Sequence, residues 1–95
     1  MKVAFHPDAE AELNAAVDYY ESCEPGLGLA FALEASLALD RAEQYPIAWA
    51  PLDDVFRRSL LRRFPYGLIY TLRNDELLVM AVMNLHREPD YWKQR

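Results

Sequence analysis

Cysteine, histidine and glycine are scarce in this chain of 95 residues. The single cysteine, Cys23, excludes an intrachain disulfide, and the sequence reveals no base that would activate its thiol. The two histidines, His6 and His86, are far apart and have no further histidine or cysteine at metal-ligand spacing. Gly26 and Gly28 lack the lysine that a phosphate-binding loop needs. We therefore expect no bound metal and no other cofactor.

Long hydrophobic runs are missing as well. No apolar run approaches the ~20 residues of a membrane-spanning helix. The first residues combine one positive charge with a short apolar stretch that His6 and Pro7 interrupt, which differs from a secretory signal. We therefore expect a cytoplasmic protein that does not bind a membrane. The length suits a single domain over residues 1–95.

Charge is distributed unevenly along the chain, whose net charge is −5. Residues 1–54 contain two basic and eleven acidic residues, whereas residues 55–95 contain eight basic and four acidic ones. The net charge is therefore −9 over residues 1–54 and +4 over residues 55–95. An acidic protein is repelled by nucleic acid at long range, but a local basic patch can still bind an anion at close range.

Hydrophobic periodicity predicts one strand, two helices and three further strands, in the order β-α-α-β-β-β. An apolar stretch at residues 2–5 precedes Pro7, which is accepted at the first position of a helix. Helical spacing continues to the proline and glycines of residues 24–28 and resumes over residues 29–45. Strand-like runs follow at residues 55–61, 64–73 and 76–85, and Asn74-Asp75 forms a hairpin loop. We interpret the acidic residues of the first helix as its solvated face.

The last strand should change from apolar to polar along one of its faces. If its residues alternate without interruption, that face carries Leu78, Met80, Val82, Asn84 and His86. His86 would then face solvent, with Arg87 on the opposite face, and a bulge at Arg87 would reverse this. Because an imidazole titrates near neutral pH, His86 is a candidate for proton transfer, although a histidine at a strand end also serves structural roles.

Four arginines, Arg57, Arg58, Arg62 and Arg63, lie on or beside one predicted strand. Their guanidinium groups stay charged and donate paired hydrogen bonds to phosphate or carboxylate, but they are poor general bases. Because adjacent strand residues face opposite sides, at most about half of them share a face. We interpret them as binding residues, and the alternative is a solvated or internally paired set. Trp92 is a further binding candidate, through stacking, or else it covers the sheet end.

Two segments carry the most recognisable motifs of the chain. Residues 62–70 have the pattern R-x-F-P-Y-x-x-x-Y, and residues 86–92 have the pattern H-R-x-P-x-Y-W. Together with the order of elements, they resemble the RelE/ParE superfamily of toxins from bacterial type II toxin–antitoxin systems, over about residues 2 to 92. The resemblance implies an α+β fold in which a small antiparallel sheet packs against an N-terminal two-helix hairpin. It also implies a cognate antitoxin that holds the toxin inactive, and it is compatible with a homodimer or a heterotetramer with the antitoxin.

The superfamily divides into two activities. RelE-like toxins cut messenger RNA on the ribosome without a metal, whereas ParE-like toxins inhibit DNA gyrase. In RelE-like nucleases an arginine at the end of the last strand and a tyrosine shortly after it carry the chemistry, and Arg87 and Tyr91 match these positions. A ribonuclease would therefore use Arg87 and Tyr91, with His86 as a further candidate for proton transfer.

Three features favour the ParE-like mode. Arg87 and Tyr91 are only four positions apart, arginines replace the lysines expected near the middle strands, and the chain is acidic. We therefore predict a ParE-like toxin that inhibits growth by binding a macromolecular target such as DNA gyrase, with plasmid stabilisation as an associated role. The alternatives are a metal-independent, ribosome-dependent endoribonuclease of the RelE type and a degenerate, non-toxic antitoxin-binding partner.

Overall fold

In the computed structural model, which describes residues 1–95, a two-helix hairpin packs on one face of a five-stranded sheet. The helices are α1 (Pro7–Cys23) and α2 (Leu27–Gln44). The strands are β1 (Lys2–Phe5), β2 (Ala50–Pro51), β3 (Phe56–Leu60), β4 (Tyr66–Arg73) and β5 (Glu76–Asn84), and a 3₁₀ helix spans Tyr91–Gln94. The predicted α+β class and order of elements are confirmed, and β2 and the 3₁₀ helix are additions to them.

Local side-chain and backbone features set the limits of the helical hairpin. The imidazole Nδ1 of His6 accepts a hydrogen bond from the backbone N–H of Asp8 at 3.1 Å, so His6 caps α1. The turn between the helices is shorter than predicted, because Gly26 adopts a positive φ of 90° and α2 already begins at Leu27. A Cβ atom on Gly28 would lie 2.7 Å from the carbonyl oxygen of Val17, so glycine lets the two helices approach closely.

The sheet has the strand order β1-β5-β4-β3-β2. All neighbouring strands are antiparallel except β1 and β5, which are parallel, so the sheet is mixed rather than purely antiparallel as predicted. The direction of β5 is fixed by the hairpin that connects it to β4. The helical hairpin separates β1 from these strands, so β1 is free of that constraint and runs parallel to β5. The predicted hairpin loop is confirmed: Asn74 and Asp75 have φ values of 48° and 63° and connect β4 to β5.

A bulge in β5 overturns the predicted alternation of its faces. Ile69 lies opposite Ala81 and Tyr70 lies opposite Val79, which leaves Met80 as one extra residue on β5. Val82 consequently packs in the core beneath the helices, whereas Met80 packs on the other side of the sheet. The predicted face carrying Leu78, Met80, Val82, Asn84 and His86 therefore does not exist. Because β5 ends at Asn84, His86 and Arg87 lie in the turn that follows it.

Each side of the sheet has its own hydrophobic core. On the helix face, alanines of α1 and α2 pack with Phe31, Leu68, Tyr70 and Val82. On the opposite side, which we call the far face, Trp92 packs with Ile69, Met80, Ala81 and Met83. The Trp92 side chain is fully buried, and its ring centroid lies 4.8 Å from that of Phe56. None of the helices combines the length and the apolar character that a bilayer crossing requires.

Candidate functional site

One carboxylate, that of Glu12 on α1, binds the segment that follows β5. Its Oε1 accepts hydrogen bonds from the backbone N–H of Val82 at 3.0 Å and from Arg95 Nη1 at 2.8 Å. Its Oε2 accepts hydrogen bonds from the Tyr91 hydroxyl at 2.6 Å and from Arg95 Nη2 at 2.8 Å. Arg87 Nη1 lies 3.6 Å from the same oxygen. We call Glu12, Arg87, Tyr91 and Arg95 the Glu12 cluster.

The Glu12 cluster occupies the place of a missing strand. β1 pairs with β5 only as far as Phe5 and Val79, after which the chain turns into α1. The backbone groups of β5 beyond this point need other partners, because buried N–H and C=O groups are rarely left without one. Glu12 accepts from the Val82 N–H, and Arg95 Nη1 donates to the Met80 carbonyl at 2.9 Å. These two side chains therefore complete the edge of the sheet.

The structure brings together two of the three residues predicted for a ribonuclease. The guanidinium of Arg87 lies 3.7 Å from the centroid of the Tyr91 ring, a stacked cation–π geometry. The Arg87 side chain is 54% exposed and therefore accessible to a ligand. His86 is exposed in the turn after β5, where its backbone N–H donates to Asn84 Oδ1 at 2.9 Å. Its imidazole makes no hydrogen bond or ion pair and does not join the Glu12 cluster.

The electrostatics of the Glu12 cluster hold Tyr91 in its protonated form. Burial raises the pKa of Glu12, but hydrogen bonds from Arg95, Tyr91 and the Val82 N–H outweigh burial and bring that pKa below its ordinary value. Burial, together with the hydrogen bond to the Glu12 carboxylate, raises the pKa of Tyr91 well above its ordinary range. The Tyr91 hydroxyl therefore stays a hydrogen-bond donor to Glu12, and releasing its proton to a substrate is unfavourable.

The charges of this region are balanced by neighbouring residues. Arg95 Nε lies 3.7 Å from a carboxylate oxygen of Asp8, in addition to its bonds with Glu12. Arg95 and Arg87 thus face two carboxylates, and a phosphate that approached Arg87 would compete with Glu12 for it. Beside the Glu12 cluster, a shallow groove of about 200 Å³ is bordered by Tyr19, Tyr66 and Asn84. The exposed ring of Tyr19, the half-buried ring of Tyr66 and the amide of Asn84 can contact a partner without proton-transfer chemistry.

The four predicted binding arginines do not form a single patch. Arg57 faces the helices, is half-buried, and donates from Nη1 to the carbonyl of Trp49 at 2.8 Å. Arg58 faces the opposite side, as the alternation of strand residues predicts, and its stem lies over Gly67. Arg62 and Arg63 lie in the turn between β3 and β4 with exposed side chains. Their backbone N–H groups donate to one oxygen of Glu34 at 3.0 and 3.3 Å.

Trp92, the remaining predicted binding residue, is fully buried in the far-face core. A partner would reach its ring only by displacing the 3₁₀ helix. No group of three or more His, Cys, Asp or Glu side chains is placed to hold a metal ion.

Two residues of the Glu12 cluster, Glu12 and Arg95, are not among the site residues predicted from the sequence. Glu12 belongs to the predicted solvated face of α1, but it lies three positions after Ala9 and four before Ala16, both of which are buried. This spacing places Glu12 on the core-facing side of the helix, and a carboxylate there predicts a buried partner. Arg95 carries no comparable signal, because its role depends on where the 3₁₀ helix directs it.

The fold matches that of a protein of known structure. No protein-family model matches the sequence, and the comparison with curated proteins finds no relative. Among solved structures, a chain of the chromosomal ParDE TA system from P. aeruginosa is similar, with a TM-score of 0.77 and 18% sequence identity. The match covers 90% of this chain and 97% of that one. The fold expected from the RelE/ParE resemblance of the sequence motifs is therefore confirmed.

Proposed function

We propose that this protein is the toxin component of a type II toxin–antitoxin module and that it acts in the ParE-like mode, by binding DNA gyrase. The observation that carries the proposal is the fold likeness to a chain of a ParDE system, which extends over nearly the whole of both chains. The motifs at residues 62–70 and 86–92 support it independently, since they do not depend on the coordinates. A toxin of this kind acts in the cytoplasm, inhibits growth and stabilises a plasmid that carries its module.

The geometry of the Glu12 cluster favours gyrase over messenger RNA as the target. A ribonuclease of the RelE type would use Arg87 on the scissile phosphate and Tyr91 in proton transfer. Here the hydroxyl of Tyr91 donates to Glu12 at 2.6 Å, and the guanidinium of Arg87 lies 3.6 Å from the same carboxylate oxygen. Before the two could act on RNA, Tyr91 would have to leave Glu12, and the phosphate would have to compete with Glu12 for Arg87. A surface that binds a protein target requires no such rearrangement.

The cognate antitoxin is the proposed partner of the four strand-region arginines, of which Arg57 and Arg58 lie on β3 and Arg62 and Arg63 lie in the turn after it. Arg57, Arg58, Arg62 and Arg63 form no ion pair within the chain, so antitoxin carboxylates can neutralise them. Charge reversal at all four positions should weaken the complex and reduce its dependence on salt. Unchanged affinity of the fourfold variant for the antitoxin would refute this assignment. A homodimer and a heterotetramer with the antitoxin are both compatible with this interface.

Growth and supercoiling assays test the proposal at two levels. Expression of the chain alone should arrest a bacterial host, and co-expression of the antitoxin from the neighbouring reading frame should restore growth. Purified protein should inhibit DNA supercoiling by gyrase and leave messenger RNA intact in a translation reaction. Cleavage of messenger RNA that is lost in Arg87→Ala or Tyr91→Phe would overturn the gyrase assignment in favour of a ribonuclease. In that case His86→Ala would show whether the imidazole takes part.

Normal growth at verified soluble levels of the protein would contradict the toxin proposal. It would favour a degenerate homologue that binds an antitoxin without poisoning the cell. Binding of the antitoxin by such a non-toxic chain, measured by calorimetry, would then define it as a regulatory partner.

A further inference from the structure

An open cavity lies beside β3, at the edge of the sheet where β2 begins. Its volume is about 360 Å³, and it is bordered by Arg41, Trp49, Ala50, Arg58, Leu60, Leu61 and Arg62. Three of these seven residues are arginines, and none is acidic. The cavity is distinct from the groove beside the Glu12 cluster, with which it shares no residue. We call it the arginine pocket.

The arginine pocket exists because β2 is only two residues long. Ala50 pairs with Arg58, so a longer β2 would place residue 48 opposite Leu60. Ala48 instead belongs to a turn, in which its N–H donates to the carbonyl of Tyr45 at 3.0 Å. The edge of β3 is therefore uncovered at Leu60, and Arg41 Nη2 reaches across from α2 to donate to the Leu60 carbonyl at 3.0 Å. The backbone N–H and C=O of Leu60 point away from β4, because in an antiparallel pair these groups alternate in direction and the next residue, Leu61, donates its N–H to β4.

The guanidiniums of the arginine pocket have no ion-pair partner within the chain. Arg41, Arg58 and Arg62 form none of the ion pairs of the structure. The carboxylate of Glu34 on α2 contacts the backbone of this region instead, since its Oε1 accepts from the N–H groups of Arg62 and Arg63. Three unpaired guanidiniums around one cavity repel one another, and an anion between them would remove that repulsion.

One donor of the arginine pocket is buried without an acceptor. The Nε atom of Arg58 has almost no exposed surface and makes no hydrogen bond. A buried donor without a partner is unfavourable and rare in folded proteins, so it indicates a missing acceptor. If the Arg58 guanidinium turned toward the cavity, an oxyanion would supply one, because Nε and a terminal nitrogen of a guanidinium can donate side by side to two oxygens.

The wall of the arginine pocket is held in place by hydrogen bonds to Trp49. The indole Nε1 of Trp49 donates to the carbonyl of Arg41 at 2.9 Å, and the Trp49 carbonyl accepts from Arg57 at 2.8 Å. Arg57 therefore supports the pocket from the helix face and does not contribute its charge to it. A pre-positioned wall lowers the entropic cost of binding a ligand.

We propose that the arginine pocket binds a carboxylate side chain from an acidic segment of the antitoxin; this inference rests on the proposed function. The apolar lining, with Trp49, Leu60 and Leu61 between the arginines, fits a peptide in which acidic and apolar side chains follow one another. A nucleic acid would require a basic stripe that follows its phosphates, and the chain's net charge of −5 opposes its approach. The proposal selects Arg58 and Arg62 among the four strand-region arginines and adds Arg41 from α2.

Affinity measurements on the complex with the cognate antitoxin test this proposal. Arg62→Gln should weaken antitoxin binding by about tenfold, because a charge-assisted hydrogen bond is lost. Arg73→Gln is the matched control, since Arg73 is exposed at the β4–β5 hairpin and forms no ion pair. Each antitoxin Asp or Glu is then replaced in turn by its amide. One of these replacements should weaken binding to the wild-type chain but leave the affinity for the Arg62→Gln variant unchanged. Equal affinities of the two variants, or the absence of any such residue, would overturn the proposal.

A second experiment tests the arginine pocket without the antitoxin. The probe is an eight-residue peptide of alternating Glu and Thr, and its control is the same peptide with Gln in place of Glu. The Glu peptide should shift the Arg58 Nε–H resonance saturably, and the Gln peptide should not. A shift with both peptides or with neither, or tighter binding of a single-stranded RNA octamer, would refute the carboxylate site. If the Glu peptide binds as expected but the antitoxin does not bind the wild-type chain, the proposed function fails and the pocket's preference for carboxylates stands.

Discussion

Replacing Glu12 by alanine should destabilise the protein far more than replacing Asp18, an exposed acidic residue of the same helix. The substitution leaves the N–H of Val82, a residue that is only 2% exposed, without its acceptor. A buried donor without a partner costs about 1–3 kcal/mol. The substitution of Glu12 also removes both hydrogen bonds between Glu12 and Arg95, whose side chain is 12% exposed.

Charge-assisted hydrogen bonds contribute about 1.5–3 kcal/mol when they are buried, and less here because water can reach part of the cluster. We therefore expect a total loss of about 2–4 kcal/mol in the free energy of unfolding. For a domain of this size, that loss lowers the melting temperature by more than about 8 °C. Urea denaturation followed by circular dichroism measures the loss directly.

Asp18→Ala is the matched control for Glu12→Ala. Asp18 lies on the same helix, is exposed, and makes no hydrogen bond or ion pair, so its replacement should change stability by less than about 0.5 kcal/mol. A double-mutant cycle with Arg95→Ala should give a coupling energy above about 1 kcal/mol, since the two side chains contact each other directly. If Glu12→Ala and Asp18→Ala unfold at the same urea concentration, the reasoning on the Glu12 cluster is wrong.

Three further predictions concern pH, the far-face core and the β4–β5 loop. The folded-state pKa of Glu12 lies below its ordinary value of 4.5. The ionised Glu12 therefore contributes fully to the free energy of unfolding above pH 4.5, and this contribution is lost as the pH falls through the folded-state pKa. Unfolding free energies measured between neutral and acid pH should therefore fall less steeply for Glu12→Gln than for the wild type. Trp92→Ala should cost about 3–5 kcal/mol, because the ring is fully buried; a loss below about 1 kcal/mol in urea denaturation would contradict this packing. Asp75→Gly should raise the melting temperature and Asp75→Val should lower it, since φ is 63° at this position, and identical melting temperatures would refute the expected strain.

Most of the fold could be predicted because its signals are local. Pro7 marks the start of α1, the proline and glycines of residues 24–28 separate the helices, and Asn74-Asp75 forms a loop with two positive φ values. The parallel pairing of β1 with β5 has no local signal, because it depends on how the helical hairpin returns the chain to the sheet. The bulge at Met80 was also unpredictable, since every residue from Leu77 to Met83 is apolar and fits either face.

The candidate site was only partly predictable, for a physical reason. Arg87 and Tyr91 are four positions apart, so their contact could be anticipated from the chain itself. Glu12 and Arg41 reach their partners from the helices, at sequence separations of 79 residues to Tyr91 and 19 residues to Leu60. Such contacts depend on the packing of helices on the sheet, which residue spacing alone does not specify. The helical position of Glu12 between two buried alanines was the one available indication.

The Glu12 cluster also affects how the protein forms during its synthesis. Glu12 forms hydrogen bonds with residues that are 70, 79 and 83 positions later in the chain. β1 likewise cannot pair with β5 until a similar length of chain has been synthesised. Ribosomes add about 5–20 residues per second, so the nascent chain carries an unfinished sheet for about 4–14 s after Glu12 is made. Contacts of such high sequence separation also slow folding itself, because a long loop must close before they form. A product of interrupted translation that stops before β5 would therefore have two helices and no complete sheet on which to pack them.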